Sequence, residues 1–282
     1  MYFASNNQTL LVTDNLAKYY AMNLTNGNLL WSKNNSAPFN SQVKVFKDKF
    51  FAIDFENILR CFSIKDGKEI WNFKTEKSFI KSQQKLSFII NDNKLNFINT
   101  LGDLSSVNIN TGDLVWQTPT QSTAIYENYF SLKNSDLITE NKSIYFSNNK
   151  NEFFSIDART GIVNWKQTVN SSLIPTIIEN LVFSVSNEGY LFVIDGKKGN
   201  IIRIIDMLKN IKNKKNKINP SGFIIARNKI YLSLNNGRVI KTDVTTGIEE
   251  NIYKLSGSKL LRPKIFGENM YLLKNNAIIK TH

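Results

Sequence analysis

Short apolar runs alternate with clusters of polar, turn-forming residues along the whole chain. The runs are rich in Ile, Val, Phe, Tyr and Leu, and clusters of Asn, Asp, Gly and Lys separate them. Apolar runs bounded by turn residues are typical of β-strands, and no long stripe has the 3.6-residue period of an amphipathic helix. The pattern therefore predicts an all-β protein with negligible helix.

Residues 156–165 show the unit that repeats. Asp157 ends one apolar run, Thr160 and Gly161 form a turn, and Trp165 follows four residues after the glycine. Glycine adopts the positive φ of a tight hairpin turn, and the short Asp and Thr side chains can hydrogen-bond the backbone of the turn. Tryptophan supplies a large flat surface with which one sheet can pack against its neighbour.

The same turn recurs at spacings of 40, 45, 49, 38 and 48 residues. Its glycines are Gly27, Gly67, Gly112, Gly161, Gly199 and Gly247. The position four residues before each glycine is held by Asn23, Ser63, Asn108, Asp157, Asp195 and Asp243. A period of this length, with four short strands in each repeat, predicts a β-propeller of about seven recognisable four-stranded blades. We expect one propeller domain over residues 1–282, and an eight-bladed ring that lacks its first blade is the alternative.

Tryptophan is kept in the first four repeats and lost in the next two. The four tryptophans are Trp31, Trp71, Trp116 and Trp165, whereas Arg203 and Asn251 stand at the same position further on. Packing between blades is therefore expected to weaken in the C-terminal third unless other side chains fill the gap.

The two ends of the chain bear on how a ring would close. The last apolar run, residues 277–280, gives the final blade only three strands, and residues 1–8 can supply one strand to either the first or the last blade. One sheet edge is then left unpaired, which proteins usually avoid. We expect that the chain is truncated at its N-terminus, together with any export signal.

Composition restricts the chemistry that the chain can perform. With 41% hydrophobic and 12% aromatic residues it can form a core, but His282 is the only histidine and Cys61 the only cysteine. Most imidazole-based metal sites and catalytic triads, and an intramolecular disulfide framework, are therefore excluded, and an enzyme would have to use carboxylates, lysines or a cofactor. No apolar run reaches the roughly 18 residues that a membrane-spanning helix needs.

The formal charge of +13 is spread along the chain. Only residues 209–217 form a dense basic tract, and this tract lacks the interleaved aromatic residues that stack on nucleic-acid bases. We interpret it as a solvated loop, and nucleic acid is not an expected partner.

The repeat resembles that of the pyrroloquinoline-quinone-like (PQQ-like) β-propellers, whose signature is a small or apolar residue, Asp, two variable residues, Thr-Gly and a later Trp. The residues that carry this likeness are Gly27, Trp31, Gly67, Trp71, Gly112, Trp116, Asp157, Gly161, Trp165, Asp195, Gly199, Asp243 and Gly247. The resemblance implies a structural role for them, with the tryptophans between blades.

Two branches of this family imply different functions. Quinoprotein dehydrogenases bind the quinone with calcium and usually carry an adjacent cysteine pair, whereas this chain has Cys61 alone. The chain is more similar to the BamB-type lipoproteins, which scaffold outer-membrane protein assembly in Gram-negative bacteria. That resemblance implies a non-catalytic periplasmic scaffold, without cofactor or metal, that is outer-membrane associated through an N-terminal anchor missing here. It also implies a monomer within the β-barrel assembly machinery. A quinoprotein dehydrogenase-like protein and a sensor or regulatory module are the alternatives.

Two segments are candidates for binding protein partners. One is the basic tract, and the other is residues 121–130, which lengthen their repeat and would expose aromatic side chains as a loop. An ordinary first strand of the fourth blade is the alternative for residues 121–130. The candidate contact residues are Tyr126, Tyr129, Lys209, Lys212, Lys214, Lys215 and Lys217.

Overall fold

The computed structural model describes residues 1–75, 84–121, 132–211, 218–274 and 277–281. These residues contain 27 β-strands and no helix, so the all-β prediction is confirmed. Within the same ranges there is accordingly no helix long and apolar enough to cross a membrane.

Within each sheet every strand pairs with its neighbours in sequence, which gives antiparallel sheets in a simple up-and-down order. Six sheets have four strands and the last has three in the described residues, which confirms the predicted set of about seven blades. The contacts divide the chain into two compact units, Met1–Leu132 with Ala158–Ile162, and Lys133–Asp157 with Val163–His282. The single domain over residues 1–282 stays a prediction.

The first unit contains three four-stranded sheets. Their strands are β1 (Tyr2–Ser5), β2 (Thr9–Thr13), β3 (Lys18–Asn23) and β4 (Leu29–Asn34); β5 (Lys44–Phe46), β6 (Lys49–Ile53), β7 (Ile58–Ser63) and β8 (Glu69–Lys74); and β9 (Phe88–Asn91), β10 (Lys94–Ile98), β11 (Asp103–Asn108) and β12 (Leu114–Pro119).

The second unit contains three four-stranded sheets and one of three strands. Their strands are β13 (Ile138–Glu140), β14 (Ser143–Asn148), β15 (Glu152–Asp157) and β16 (Val163–Gln167); β17 (Thr176–Ile178), β18 (Leu181–Val185), β19 (Tyr190–Asp195) and β20 (Ile201–Asp206); β21 (Pro220–Ala226), β22 (Lys229–Leu234), β23 (Arg238–Asp243) and β24 (Glu249–Lys254); and β25 (Lys264–Phe266), β26 (Asn269–Lys274) and β27 (Ala277–Thr281).

The N-terminal residues form the first strand of the first sheet. β1 pairs antiparallel with β2, with Tyr2 opposite Thr13 and Ser5 opposite Leu10. Of the two places open to residues 1–8 in the sequence, the structure therefore shows the first blade.

The third and fourth strands of all six four-stranded sheets share one irregularity. The register shifts by one residue just before the turn, as between Ala21 and Met22 in the first sheet and between Ser155 and Ile156 in the fourth. A bulge of this kind increases the local twist and redirects the side chains that follow. It is the structural counterpart of the Thr-Gly turn in the sequence.

A row of side chains crosses each sheet beside this bulge. In the second sheet the row is Phe51, Cys61 and Trp71. In the third sheet the same row is Asn96, Ser106 and Trp116. Asn96 and Ser106 are fully buried, and neither amide atom of Asn96 nor the hydroxyl of Ser106 has a hydrogen-bond partner in the structure. A polar pair thus stands where the neighbouring sheet has a large apolar side chain.

We expect Asn96→Leu to raise the free energy of unfolding by about 1 to 3 kcal/mol, because it replaces two unpaired amide atoms with apolar surface at similar volume. Urea denaturation followed by tryptophan fluorescence measures this change. Asn72→Leu is the control, because Asn72 is exposed and its amide donates to Glu69 Oε1 at 2.6 Å. A loss of stability in Asn96→Leu would show instead that its amide is hydrogen-bonded inside the protein.

Candidate functional site

The four tryptophans at the repeat position donate hydrogen bonds to the turn of the following repeat. The acceptor is always the main-chain carbonyl of the residue just after a third strand. The bonds run from Trp31 Nε1 to Ile64 O (2.9 Å), from Trp71 Nε1 to Ile109 O (3.2 Å), from Trp116 Nε1 to Ala158 O (3.2 Å) and from Trp165 Nε1 to Gly196 O (2.9 Å). We call each such contact a dock.

Each indole ring also lies against the turn glycine of its dock. A Cβ atom added at Gly161 would lie 2.6 Å from Cε3 of Trp116, and the φ of Gly161 is 77°. Both the close approach and the positive φ therefore require glycine here. Trp116 and Trp165 are only 9% and 8% exposed, so these rings are buried parts of the fold.

Arg203 takes the place of tryptophan in the next dock. Its guanidinium donates from Nη2 to Val244 O at 2.5 Å and from Nη1 to Thr245 O. Val244 follows β23 as Ile64 follows β7, so Arg203 reaches the carbonyl that an indole would reach. Ile205 covers the turn glycine, with its Cδ1 atom 2.7 Å from a Cβ added at Gly247. The gap expected from the missing tryptophan is filled by these two side chains.

An ion-pair cluster lies beside the position of Asn251. Lys229 Nζ is 2.8 Å from Asp243 Oδ2 and also pairs with Glu250, and Lys241 Nζ is 3.0 Å from Glu250 Oε2. The hydrogen bond from Lys229 lowers the pKa of Asp243 and of Glu250 below their ordinary values. The sheet β21–β24 thus joins its second, third and fourth strands with charged side chains.

Most of the predicted partner-binding residues lie outside the described ranges. Of that set only Lys209 falls within them, and its side chain is exposed. The others are Tyr126, Tyr129, Lys212, Lys214, Lys215 and Lys217. The described first strand of the fourth sheet is β13, Ile138–Glu140, which follows residues 121–130 in the chain.

Described residues on the C-terminal side of these two segments line one cavity. Lys133 follows the first segment, Ile218 follows the basic tract, and both line a polar cavity of about 570 Å³ in the second unit. Its other lining residues are Asn149, Asn170, Ser172, Asn187, Glu188 and Asn219. The described residues that follow the two candidate segments therefore share one cavity.

Asparagine side chains fix the rim of this cavity. Lys133 N donates to Asn149 Oδ1 at 2.7 Å, Asn219 N donates to Asn235 Oδ1 at 3.1 Å, and the Asn187 amide donates to Asn170 Oδ1 at 2.9 Å. Each of these pairs ties a connection between sheets to the turn between a second and a third strand. In the sequence these residues belong only to the polar stretches between apolar runs, and their separation along the chain gives no sign that they share a rim.

Few described side chains could bind a metal ion or act as a nucleophilic thiol. In the described ranges no three His, Cys, Asp or Glu side chains are grouped so that they could hold a metal ion. Cys61 is buried, and burial raises the pKa of its thiol to about 12. The expected absence of quinone and calcium stays a prediction.

The antiparallel sheets follow one another in sequence order, and the docks occur at the same position of successive repeats. These features define a β-propeller of PQQ-like repeats. Residues 2–205 match the protein family described as outer membrane protein assembly factor BamB, and because this is most of the chain, it belongs to that family. The curated outer membrane protein assembly factor BamB of Legionella pneumophila (strain Paris) is 20% identical over 147 residues, which cover 51% of this chain. The matched part spans only a third (33%) of the length of that relative.

Solved structures show the same fold. BamB from Moraxella catarrhalis superposes with a TM-score of 0.79 at 14% identity, covering 97% of this chain and 81% of that one. Sqt1 of Saccharomyces cerevisiae superposes with a TM-score of 0.70 at 13% identity, covering 96% and 79%. At these identities the likeness establishes the propeller fold and leaves the function to other arguments.

We expect Trp116→Ala and Trp165→Ala each to lower the free energy of unfolding by about 3 to 5 kcal/mol, because each removes a buried ring. Chemical denaturation followed by circular dichroism measures the loss. Val115→Ala is the matched control on the same strand as Trp116: Val115 is 46% exposed, and its truncation should change stability by no more than about 0.5 kcal/mol. A loss below about 1 kcal/mol in both tryptophan variants would contradict a stabilising role for the docks.

Proposed function

We propose that this protein is a non-catalytic scaffold of the bacterial cell envelope that holds protein partners through the segments connecting its sheets. The observation that carries the proposal is the family match over residues 2–205. The partners proposed from that family are components of the β-barrel assembly machinery or its unfolded clients. Attachment to the outer membrane, through an anchor outside residues 1–282, is proposed on the same ground.

The geometry of the second unit supports the use of connecting segments. Lys133 and Ile218, which follow the two candidate segments in the chain, line one polar cavity. Main-chain bonds tie this rim to the sheets, from Asn149 N to Lys133 O at 3.1 Å and from Asn235 N to Asn219 O at 3.0 Å. Variable loops on a rigid scaffold are the usual arrangement of a binding surface.

The available side chains also favour binding over catalysis. The lone cysteine is buried with a raised thiol pKa, and the one histidine is the last residue. The ion pairs of Lys229 and Lys241 with Asp243 and Glu250 join strands of one sheet, where their role is structural. General acid–base catalysis requires side chains that transfer protons, whereas a scaffold requires none.

We expect the tagged chain to recover the β-barrel assembly machinery from detergent-solubilised envelopes of the bacterium that encodes it, as identified by mass spectrometry. Replacing Tyr126 and Tyr129 by Ala, together with Lys212, Lys214, Lys215 and Lys217 by Glu, should abolish recovery. The matched control is Lys197→Glu with Lys198→Glu, which reverses charge in the turn between β19 and β20. Recovery that survives the loop changes, or is lost equally in the control, would contradict the proposed contact.

We expect no thermal shift when the chain is titrated with pyrroloquinoline quinone and calcium. A ligand at 100 times its dissociation constant would add about 2.7 kcal/mol of apparent stability, which differential scanning calorimetry detects readily. Calcium alone is the control for nonspecific ion effects. A clear shift that requires the quinone would favour the dehydrogenase-like alternative.

A further inference from the structure

The strand β20 forms the outer edge of its sheet. It pairs antiparallel with β19, and among the described residues no strand pairs with its other side. β19 precedes it and β21 follows it in the chain, so this edge belongs to an internal repeat. The backbone groups along such an edge can form hydrogen bonds with another strand.

β20 lacks the residues that protect the other outer edges. Lysine and proline at an exposed edge discourage pairing with another chain. The fourth strands of the other five four-stranded sheets each contain one of them, namely Lys33 in β4, Lys74 in β8, Pro119 in β12, Lys166 in β16 and Lys254 in β24. β20 has the sequence Ile-Ile-Arg-Ile-Ile-Asp, which combines high β-propensity with balanced charge. Among the six fourth strands, β20 is therefore the one best suited to pair with another strand.

β20 also exposes an apolar surface that the other fourth strands do not have. Ile202 and Ile204 alternate with the two side chains of the dock, and they are 58% and 53% exposed on the opposite face. Phe192 stands opposite Ile204 on β19, and Tyr190 of β19 is 42% exposed. In each of the other fourth strands at least one of the two corresponding residues is polar, as in the pairs Leu30 and Ser32, Ile70 and Asn72, Val115 and Gln117, Asn164 and Lys166, and Glu250 and Ile252. Contiguous exposed apolar surface often marks an interaction site.

A second copy of β20 is a strand of matching character. Antiparallel pairing of two β20 strands about a two-fold axis at Ile204 places Ile204 opposite its own counterpart. Ile202 then stands opposite Asp206 of the other copy. Arg203 stands opposite Ile205, and its guanidinium is already bonded to carbonyls in its dock. No like charges face each other in this register, whereas a strongly acidic or basic strand would find little opposite charge on β20.

The charge of the whole chain gives such pairing a recognisable salt dependence. The chain carries a formal charge of +13, so two copies repel each other at low ionic strength. Salt screens this repulsion, and it does not weaken the contacts between isoleucine side chains. Association through β20 should therefore strengthen as salt is added, whereas binding of an acidic partner should weaken.

We propose that the chain self-associates through β20, with the strands of two copies paired antiparallel about a two-fold axis at Ile204. The two four-stranded sheets then form one continuous sheet, and the exposed isoleucines of both copies lie together. This surface is separate from the connecting segments of the proposed function, and it does not depend on an envelope location. The resulting dimer differs from the monomer that the family resemblance implies.

Sedimentation velocity of the complete 282-residue chain over a range of concentrations tests the proposal. We expect a monomer–dimer equilibrium in which the dimer is more stable at roughly 500 mM than at roughly 50 mM salt. Ile204→Lys should raise the dissociation constant of the dimer about tenfold or more, because it places two lysines opposite each other at the axis. Val115→Lys is the matched control: it replaces an exposed aliphatic residue by lysine on the fourth strand of another sheet, and the dimer should persist. Far-UV circular dichroism checks that both variants fold.

Cysteine cross-linking tests the register. Ile204→Cys places two thiols directly opposite each other, at a separation that a disulfide can span, so mild oxidation should give a covalent dimer. Ile202→Cys is the control, because the two copies of Ile202 lie on opposite sides of the axis and should not cross-link. The native Cys61 is buried and does not compete. In the unmodified chain, hydrogen exchange should show protection of residues 201–206 that increases with protein concentration.

Four results would overturn the proposal. They are a chain that stays monomeric at high salt, a dimer that Ile204→Lys leaves unchanged, equal weakening in Ile204→Lys and Val115→Lys, and a dimer that Ile204→Cys does not cross-link. A monomer at high salt would leave the edge of β20 to a strand of another protein.

Discussion

The hydrogen bond from a long side chain on a fourth strand to a main-chain carbonyl in the following turn is the contact on which the rest of this structure depends. A carbonyl beneath a buried ring has no access to water, so leaving it without a donor would cost about 1 to 3 kcal/mol. Trp116 and Trp165 meet this requirement with an indole N–H. Arg203 meets it with a guanidinium, which shows that the dock requires a donor of sufficient length more than an aromatic ring.

The docks also explain why short sheets are stable in this chain. A four-stranded sheet of such short strands has two faces and cannot bury both by itself. In the first unit Trp31 on β4 packs nearly parallel to Phe50 on β6 of the next sheet, with ring centroids 6.0 Å apart, and its N–H donates to Ile64 O of that sheet's repeat. Apolar packing against the next sheet and the hydrogen bond to it are therefore made by the same side chain. Stability in such repeat architectures is approximately a sum of terms for the repeats and for neighbouring pairs.

Local chemistry made much of this fold predictable from the sequence. Gly161 and Trp165 belong to one hairpin, and a turn with positive φ followed by an aromatic residue leaves a clear periodic signal. Arg203 gave no such signal, because its role depends on a carbonyl 41 residues further along the chain. The buried pair Asn96 and Ser106 was missed for a related reason, since strand alternation shows which residues share a face but not whether a buried amide has a partner. The shared cavity rim could likewise not be predicted, because Asn149 and Asn187 have the sequence context of ordinary turn residues.

The receiving side of a dock consists of main chain and one glycine, and this affects how freely the repeat can change in evolution. Ile64, Ile109, Ala158, Gly196 and Val244 all present the acceptor carbonyl, although their side chains differ widely in size. Because every residue carries a carbonyl oxygen, substitution at this position leaves the acceptor in place. The hydrogen bond of each dock is thus independent of side-chain identity at the acceptor position, even where that side chain is itself buried, as for Ile109 and Val244. Such one-sided specificity lets sequences drift far apart while the sheets keep their spacing, as in a propeller that matches its solved relative at a TM-score of 0.79 with 14% identity.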